Sequence, residues 1–187
     1  MAPDSHLILA SRSPQRRAIL QQLGVDFTVV APEVEELAEG EPHELVRVNA
    51  SRKAGAVAGD RVLGVDTTVV IDRRALGKPR DAAEAADFLR MLSGRTHEVL
   101  SGIVVREDGH ERGQVAATEV RFRALDPGAL DWYLATEEWR ERAGGYAIQG
   151  RGAALVEGIR GDYWNVVGLP VPALLGLCPD LLYRRVA

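Results

Sequence analysis

The chain has 187 residues, 46% of them hydrophobic and 27% charged, which suits one ordinary soluble domain spanning 1–187 with a real core. A formal net charge of −4 gives the whole molecule no attraction for nucleic acid or for an anionic membrane, so any anion must be held by a local cluster. No apolar run approaches the roughly 20 residues of a membrane span, the start MAPDSHLILAS lacks a secretory pattern, and one cysteine excludes an internal disulfide, so the cytoplasm is the expected location.

Strand-like and helix-like patterns alternate from the N-terminus, which predicts an α/β fold. His6–Ala10 reads as a short strand. Ser13-Pro14 opens a helix, with serine as N-cap and proline at the first helical position. Ala18, Ile19, Leu20 and Leu23 form its apolar face, and Gly24 ends it. Asp26–Ala31 is a second strand, followed by the acidic loop Glu33-Val34-Glu35-Glu36. A helix over Pro42–Ala58 turns Leu45, Val46 and Val48 inward and carries Lys53. Leu63–Ile71 is a central strand pair or one long bent strand, and Asp81–Leu92 is an alanine-rich helix capped by Asp81. His97–Val105 and Val115–Phe122 pair as strands. Asp126 caps a helix over Asp126–Ala135. Gly144–Gly150 is a glycine-framed loop, Ala153–Ile159 a strand and Leu169–Leu177 the last helix. Cys178, in LLGLCPDLL, is read as an inert core thiol. No repeat, low-complexity tract or linker breaks this order.

The stretch RVLGVDTTVVIDRRALGKPRD, residues 61–81, carries the strongest chemical signal. Asp66 interrupts an apolar run, where a carboxylate is costly to bury unless something pairs with it. It can serve as a metal ligand, as a general base for water, or as both; a strand-end carboxylate satisfied by backbone donors is the plainer reading. Lys78 follows in GKPRD, and an acid with a lysine suits a site that handles phosphate with its metal. SRSPQRR, residues 11–17, sits where a strand passes into a helix, and helix N-termini attract anions. Its arginine forks match pairs of phosphate oxygens, although a capped helix with solvated arginines explains the same letters. Glu33, Glu35 and Glu36 can hold a divalent cation through oxygen ligands or remain a solvated loop. Gln149 offers one donor and one acceptor to a base edge, while Tyr163 and Trp164 are read as packing residues. His97, alone at the start of a strand, is read as structural. Nothing matches a phosphate-binding Walker loop, a zinc spacing or a serine nucleophile elbow.

Taken together and in order, LASRSPQRRAIL, EVEE, the Lys53 region, GVDTTVV, LGKPRD, LSGRTHEVLSG, AGGYAIQG and YWNVVGLP resemble the Maf family of nucleoside triphosphate pyrophosphatases, from about residue 7 to about residue 177. The resemblance implies a mixed α/β fold with a long curved sheet, flanked by helices, and two lobes around a nucleotide-binding cleft. It implies hydrolysis of a nucleoside triphosphate between its α- and β-phosphates, with a divalent metal, Mg²⁺ or Mn²⁺. Asp66 matches the proposed proton acceptor. Ser11, Arg16, Glu36, Lys53 and Lys78 match positions that handle phosphate and metal, with Glu36 and Asp66 as the metal ligands. Thr67 and Gln149 resemble the branch that acts on dTTP and UTP. Gln15 departs from it, standing where that branch usually has arginine and the 7-methyl-GTP branch an aromatic residue. The expected partner is the nucleoside triphosphate itself, with neither nucleic acid nor membrane, and a homodimer is compatible. A non-catalytic nucleotide-binding regulator of cell division and a pyrophosphatase for modified purines are the rival readings.

Overall fold

The long central strand β3 (Arg61–Ile71) is buried along its length except at half-buried Thr67, and the rest of the molecule is arranged around it. In a computed structural model, which describes residues 6–182, the sheet runs β2 (Phe27–Val30), β1 (Leu7–Ala10), β3, β5 (Thr96–Glu107), β6 (His110–Phe122), β7 (Val156–Arg160), with β4 (Arg74–Leu76) also on β3. β1 pairs in parallel with β2 and β3, whereas β3, β5, β6 and β7 are antiparallel neighbours. The sheet is therefore mixed, with six α-helices against it: α1 (Pro14–Gln22), α2 (Pro42–Gly55), α3 (Ala82–Leu92), α4 (Pro127–Leu134), α5 (Tyr163–Val167) and α6 (Val171–Leu177). None of the described helices is long and apolar enough to cross a membrane.

The local signals do much of this work. Ser13, Glu41, Asp81 and Asp126 each accept a backbone N–H in the first turn of α1, α2, α3 and α4, which satisfies a donor the helix itself cannot. Gly24 closes the first helix at φ 68°, where a side chain is disfavoured. Leu63–Ile71 is one continuous strand rather than a pair. β5 runs two residues past Val105, to Glu107, and β6 starts at His110, five residues before Val115. Asp108-Gly109, with φ 50° and 78°, joins them through the two left-handed positions a tight hairpin turn needs. Asp72-Arg73 makes the same kind of turn into β4, a strand the sequence pattern does not reveal. Two other boundaries differ. Gly150–Leu155 forms a 3₁₀ segment before β7, so that strand starts at Val156, and the last helix begins at Val171 after Pro170. α2 ends at Gly55, and its inward stripe is Pro42, Leu45, Val46, Asn49, Ala50 and Lys53. Val48 lies off that helical spacing and is half-buried; Asn49 takes the inward place.

Two apolar cores share one face of the sheet. One gathers Leu7, Leu9, Leu63, Val65, Ile103 and Val105 under α1 and α6, with Cys178 inside it. The other gathers Val69, Ile71, Val99, Val120 and Phe122 under α3 and α4. Along β3 the residue between them is Thr67, and its register partner on β5 is Ser101. Their hydroxyls meet at 2.8 Å, so a polar rung divides the two cores. The opposite face carries α2. Gly64 and Gly102 let it settle there: a Cβ at Gly64 would lie 2.1 Å from the Ala50 carbonyl oxygen, and one at Gly102 2.1 Å from that of Val46. Gly102→Ala is therefore expected to lift α2 and cost about 1–3 kcal/mol, measured as a loss of unfolding free energy in urea.

Candidate active site

The strand ends create the site. β5 covers one edge of β3 from residue 61 to residue 70, whereas on the other edge β1 stops opposite Gly64 and β4 starts opposite Val69. Residues 65–68 thus have no strand on that side. Just beyond β1 the chain turns through Ser11 and Ser13 into α1. Asp66 and Thr67 are adjacent in the gap, and alternation sends them to opposite faces of the sheet. Asp66 goes to the α2 face and Thr67 to the face between the two cores.

Asp66 is buried and fully partnered. Its Oδ1 accepts from Lys53 Nζ at 2.6 Å and its Oδ2 from Asn49 Nδ2 at 3.2 Å. Asn49 and Lys53 stand four residues apart on α2, so one helix face presents both. Lys53 also meets Glu36 Oε2 at 3.0 Å, which places one ammonium between a buried and a half-exposed carboxylate. Asn49 in turn pins the acidic loop: its Oδ1 accepts from Leu37 N–H at 2.8 Å and its amide donates to the Leu37 carbonyl at 3.0 Å. Of the loop's three glutamates, Glu36 alone joins this cluster.

Arg16 is the second buried charge. Its Nε donates to the Gly168 carbonyl at 2.8 Å, one Nη to Ser11 Oγ at 3.2 Å and the other to Thr67 Oγ1 at 3.0 Å. All three acceptors are neutral, and no carboxylate touches the guanidinium among the described residues. Burial pushes its pKa below the ordinary arginine value, and the charges of Asp66 and Glu36 only partly oppose that shift. A buried cation with neutral partners is an electrostatic demand for an anion. Ser11 supports the arrangement by also accepting from Ser13 N–H at 3.1 Å.

The remaining predicted residues make no contact with the Asp66 cluster among the described residues. Lys78 is exposed and pairs with Glu141 at 2.6 Å rather than with the Asp66 cluster. Its loop is tied to the glycine-rich segment by the Gly144 N–H, which donates to the Gly77 carbonyl at 3.0 Å. Gln149 is exposed, with no side-chain hydrogen bond among the described residues. Gln15 is half-buried and accepts from Arg142 Nη1 at 2.6 Å. Sequence reasoning missed Asn49, Ser101, Glu141 and Arg142. Only Asn49 left a trace, as a polar residue on an inward helical position four before Lys53.

His97 lies outside this site, as its lone position suggests. Its Nε2 is 2.8 Å from the Tyr146 hydroxyl, and its ring meets Phe122 and Tyr146 edge-on. Burial pushes its pKa down to about 4. The folded state thus keeps His97 neutral while the unfolded chain protonates it near 6.5, so stability is lost as pH falls from about 6.5 to about 4. The loss through this group approaches about 3 kcal/mol. Urea unfolding at pH 7 and pH 4.5 is expected to show most of it, and His97→Phe to flatten that slope.

A cavity of about 580 Å³ opens elsewhere, beyond the start of α2, lined by Pro42, His43, Val70, Leu100 and Glu98 among others. Glu41, Asp72 and Glu119 also border it with Arg73 as its one arginine or lysine, so its lining is more acidic than basic, and the chemistry assigned to phosphate lies at Arg16 and Lys53 instead. No group of three or more acidic, histidine or cysteine side chains suited to a metal occurs among the described residues.

The profile of a family described as Maf-like protein matches residues 6–181. A dTTP/UTP pyrophosphatase of Symbiobacterium thermophilum is 49% identical over 171 residues, covering 88% of each chain. One of Pelotomaculum thermopropionicum is 46% identical over 186 residues, 95% of this chain and 97% of its own. One of Thermococcus gammatolerans is 46% identical over 168 residues, 88% of this chain and 91% of its own.

Proposed function

The chain belongs to the Maf family, and from that membership and the geometry of its cleft we propose that it is a nucleoside triphosphate pyrophosphatase acting on dTTP and UTP. The observation that carries this reading is Arg16, buried with no carboxylate in contact among the described residues, bonded directly to Thr67 of the polar rung and close enough to Asp66 and Glu36 to feel their charge. A triphosphate supplies the missing anion. Asp66, gripped by Lys53 and Asn49, orients a water and takes its proton as the water adds to a phosphorus of the α–β anhydride. The bond that breaks releases pyrophosphate and leaves a nucleoside monophosphate. Arg16 and Lys53 neutralise charge on the phosphates, the dominant contribution in phosphoryl chemistry. Lys78 joins them from the rim by exchanging Glu141 for phosphate, a cheap exchange for an exposed ion pair. Thr67, Gln149 and Gln15 are assigned to the base.

A divalent cation belongs to the proposal, with carboxylates and the substrate's phosphates as its ligands. Mg²⁺ is commonly bound by one or two carboxylates together with phosphate oxygens and waters. Glu36 turns one oxygen to Lys53 and keeps the other free among the described residues, so Glu36 and Asp66 would hold the ion. Bound there, it would neutralise phosphate charge. The buried free thiol of Cys178 supports a cytoplasmic location.

The test is a panel of dTTP, UTP, CTP, GTP and 7-methyl-GTP with Mg²⁺ or Mn²⁺, with every product quantified. Equimolar monophosphate and pyrophosphate, largest for dTTP and UTP, is the expected result. Diphosphate with inorganic phosphate, or no turnover, would overturn it.

A further inference from the structure

Gln15 and Arg142 meet between the two core regions. Gln15 lies in the first turn of α1, whose Ile19 and Leu20 belong to one apolar core. Arg142 lies between Trp139 and Ala143, both part of the other. Their side chains bond at 2.6 Å, with 127 residues between them in sequence. An arginine can only donate, so the atom of Gln15 that meets it must be the amide oxygen. The same oxygen receives the Ser13 hydroxyl proton at 3.2 Å, while Ser13 Oγ is itself occupied as acceptor by the Arg16 N–H. Two donors on one oxygen fix the amide, and the Gln15 NH₂ group has no partner among the described residues.

Arg142 is held for this task. Its own N–H donates to the Trp139 carbonyl at 3.2 Å and its carbonyl accepts from Gly145 N–H at 3.0 Å. Its neighbour Glu141 is engaged by Lys78. Gln15 is the sole partner of its guanidinium among the described residues, and its Nε is buried without one.

We propose that Arg142 is a positioning residue for base selection: by fixing the Gln15 amide it makes position 15 a pure donor, which accepts uracil or thymine and rejects cytosine. The exocyclic atom that distinguishes them is a carbonyl acceptor in uracil and thymine and an amine donor in cytosine. A donor facing a donor leaves two polar groups unpaired as the cleft dries, the most effective form of discrimination. The inference rests on the dTTP/UTP reading above and adds the residue that sets the polarity.

The experiment compares kcat/KM for UTP and CTP in the wild type, Arg142→Lys, Arg142→Glu and Gln15→Glu. Wild type is expected to prefer UTP. Lysine, still donor-only, keeps the preference. Glutamate at 142 accepts from the amide NH₂ and turns its oxygen outward, moving the UTP/CTP ratio toward CTP by about tenfold or more. Gln15→Glu, with no donor to offer, loses the UTP preference whether or not the Arg142→Glu protein folds. A role limited to packing would lower both substrates together and leave the ratio in place. An unchanged ratio in both glutamate variants, or a wild type that treats UTP and CTP alike, would overturn the inference and leave the pyrophosphatase intact. A wild type that releases pyrophosphate from no nucleotide would overturn the underlying reading.

Discussion

Asp66→Asn is expected to lower kcat/KM for UTP by about a hundred- to ten-thousand-fold, the usual worth of a positioned general base. The substitution keeps the shape of the side chain and removes its ability to take a proton. It also disturbs the cluster in a defined way. Lys53 Nζ and Asn49 Nδ2 both donate to the carboxylate, one to each oxygen. An asparagine has one acceptor oxygen, so one of these donors must face an NH₂ group instead. The fold survives because Lys53 keeps Glu36 at 3.0 Å as its counterion. The stability cost is about 1–3 kcal/mol, the penalty for one poorly satisfied buried group. Product release in a single-turnover assay and a urea unfolding curve read the two effects separately. A variant that folds and turns over at near the parental rate would remove Asp66 from the role of proton acceptor.

The parts of this site that could be read in the chain are those whose chemistry conflicts with their surroundings. Asp66 inside an apolar strand is one, and the Ser13-Pro14 start of a helix bearing Arg16 is another. What could not be read depends on where strands end. The open edge at residues 65–68 exists because β1 stops opposite Gly64 and β4 starts opposite Val69, and β4 itself carries no apolar alternation. Asn49 was hidden by a one-residue error in helical phase, since placing Val48 inward sends Asn49 outward. The reach of Arg142 to Gln15 has no local signature at all, because it joins segments 127 residues apart that only the fold brings together. Secondary structure followed the same rule. Capped helices α1, α3 and α4 were legible, whereas the 3₁₀ segment Gly150–Leu155 imitates a strand through its apolar letters.

Arg16→Met is expected to separate activity from stability. The guanidinium joins α1, the polar rung and the Gly168 turn, yet it is a buried charge without a carboxylate in contact among the described residues. Its desolvation is repaid by neutral acceptors and only in part by the nearby charges of Asp66 and Glu36, so a methionine of similar length removes an unfavourable term along with three hydrogen bonds. Ser11 and Thr67 keep other partners, Ser13 N–H and Ser101 Oγ, and only the buried Gly168 carbonyl loses this donor. The two contributions nearly cancel, and the unfolding free energy should stay within about 1 kcal/mol of the parent. Catalysis has no such compensation: losing one charge that meets the phosphates should cost about a hundred- to a thousand-fold in kcat/KM. A non-hydrolysable UTP analogue sharpens the contrast, since ligand binding to the folded state raises Tm. It should raise Tm in the parent and leave Arg16→Met unmoved at the same concentration. A variant that is markedly less stable, or that the analogue still stabilises fully, would show that Arg16 is a structural strut whose charge the substrate never meets.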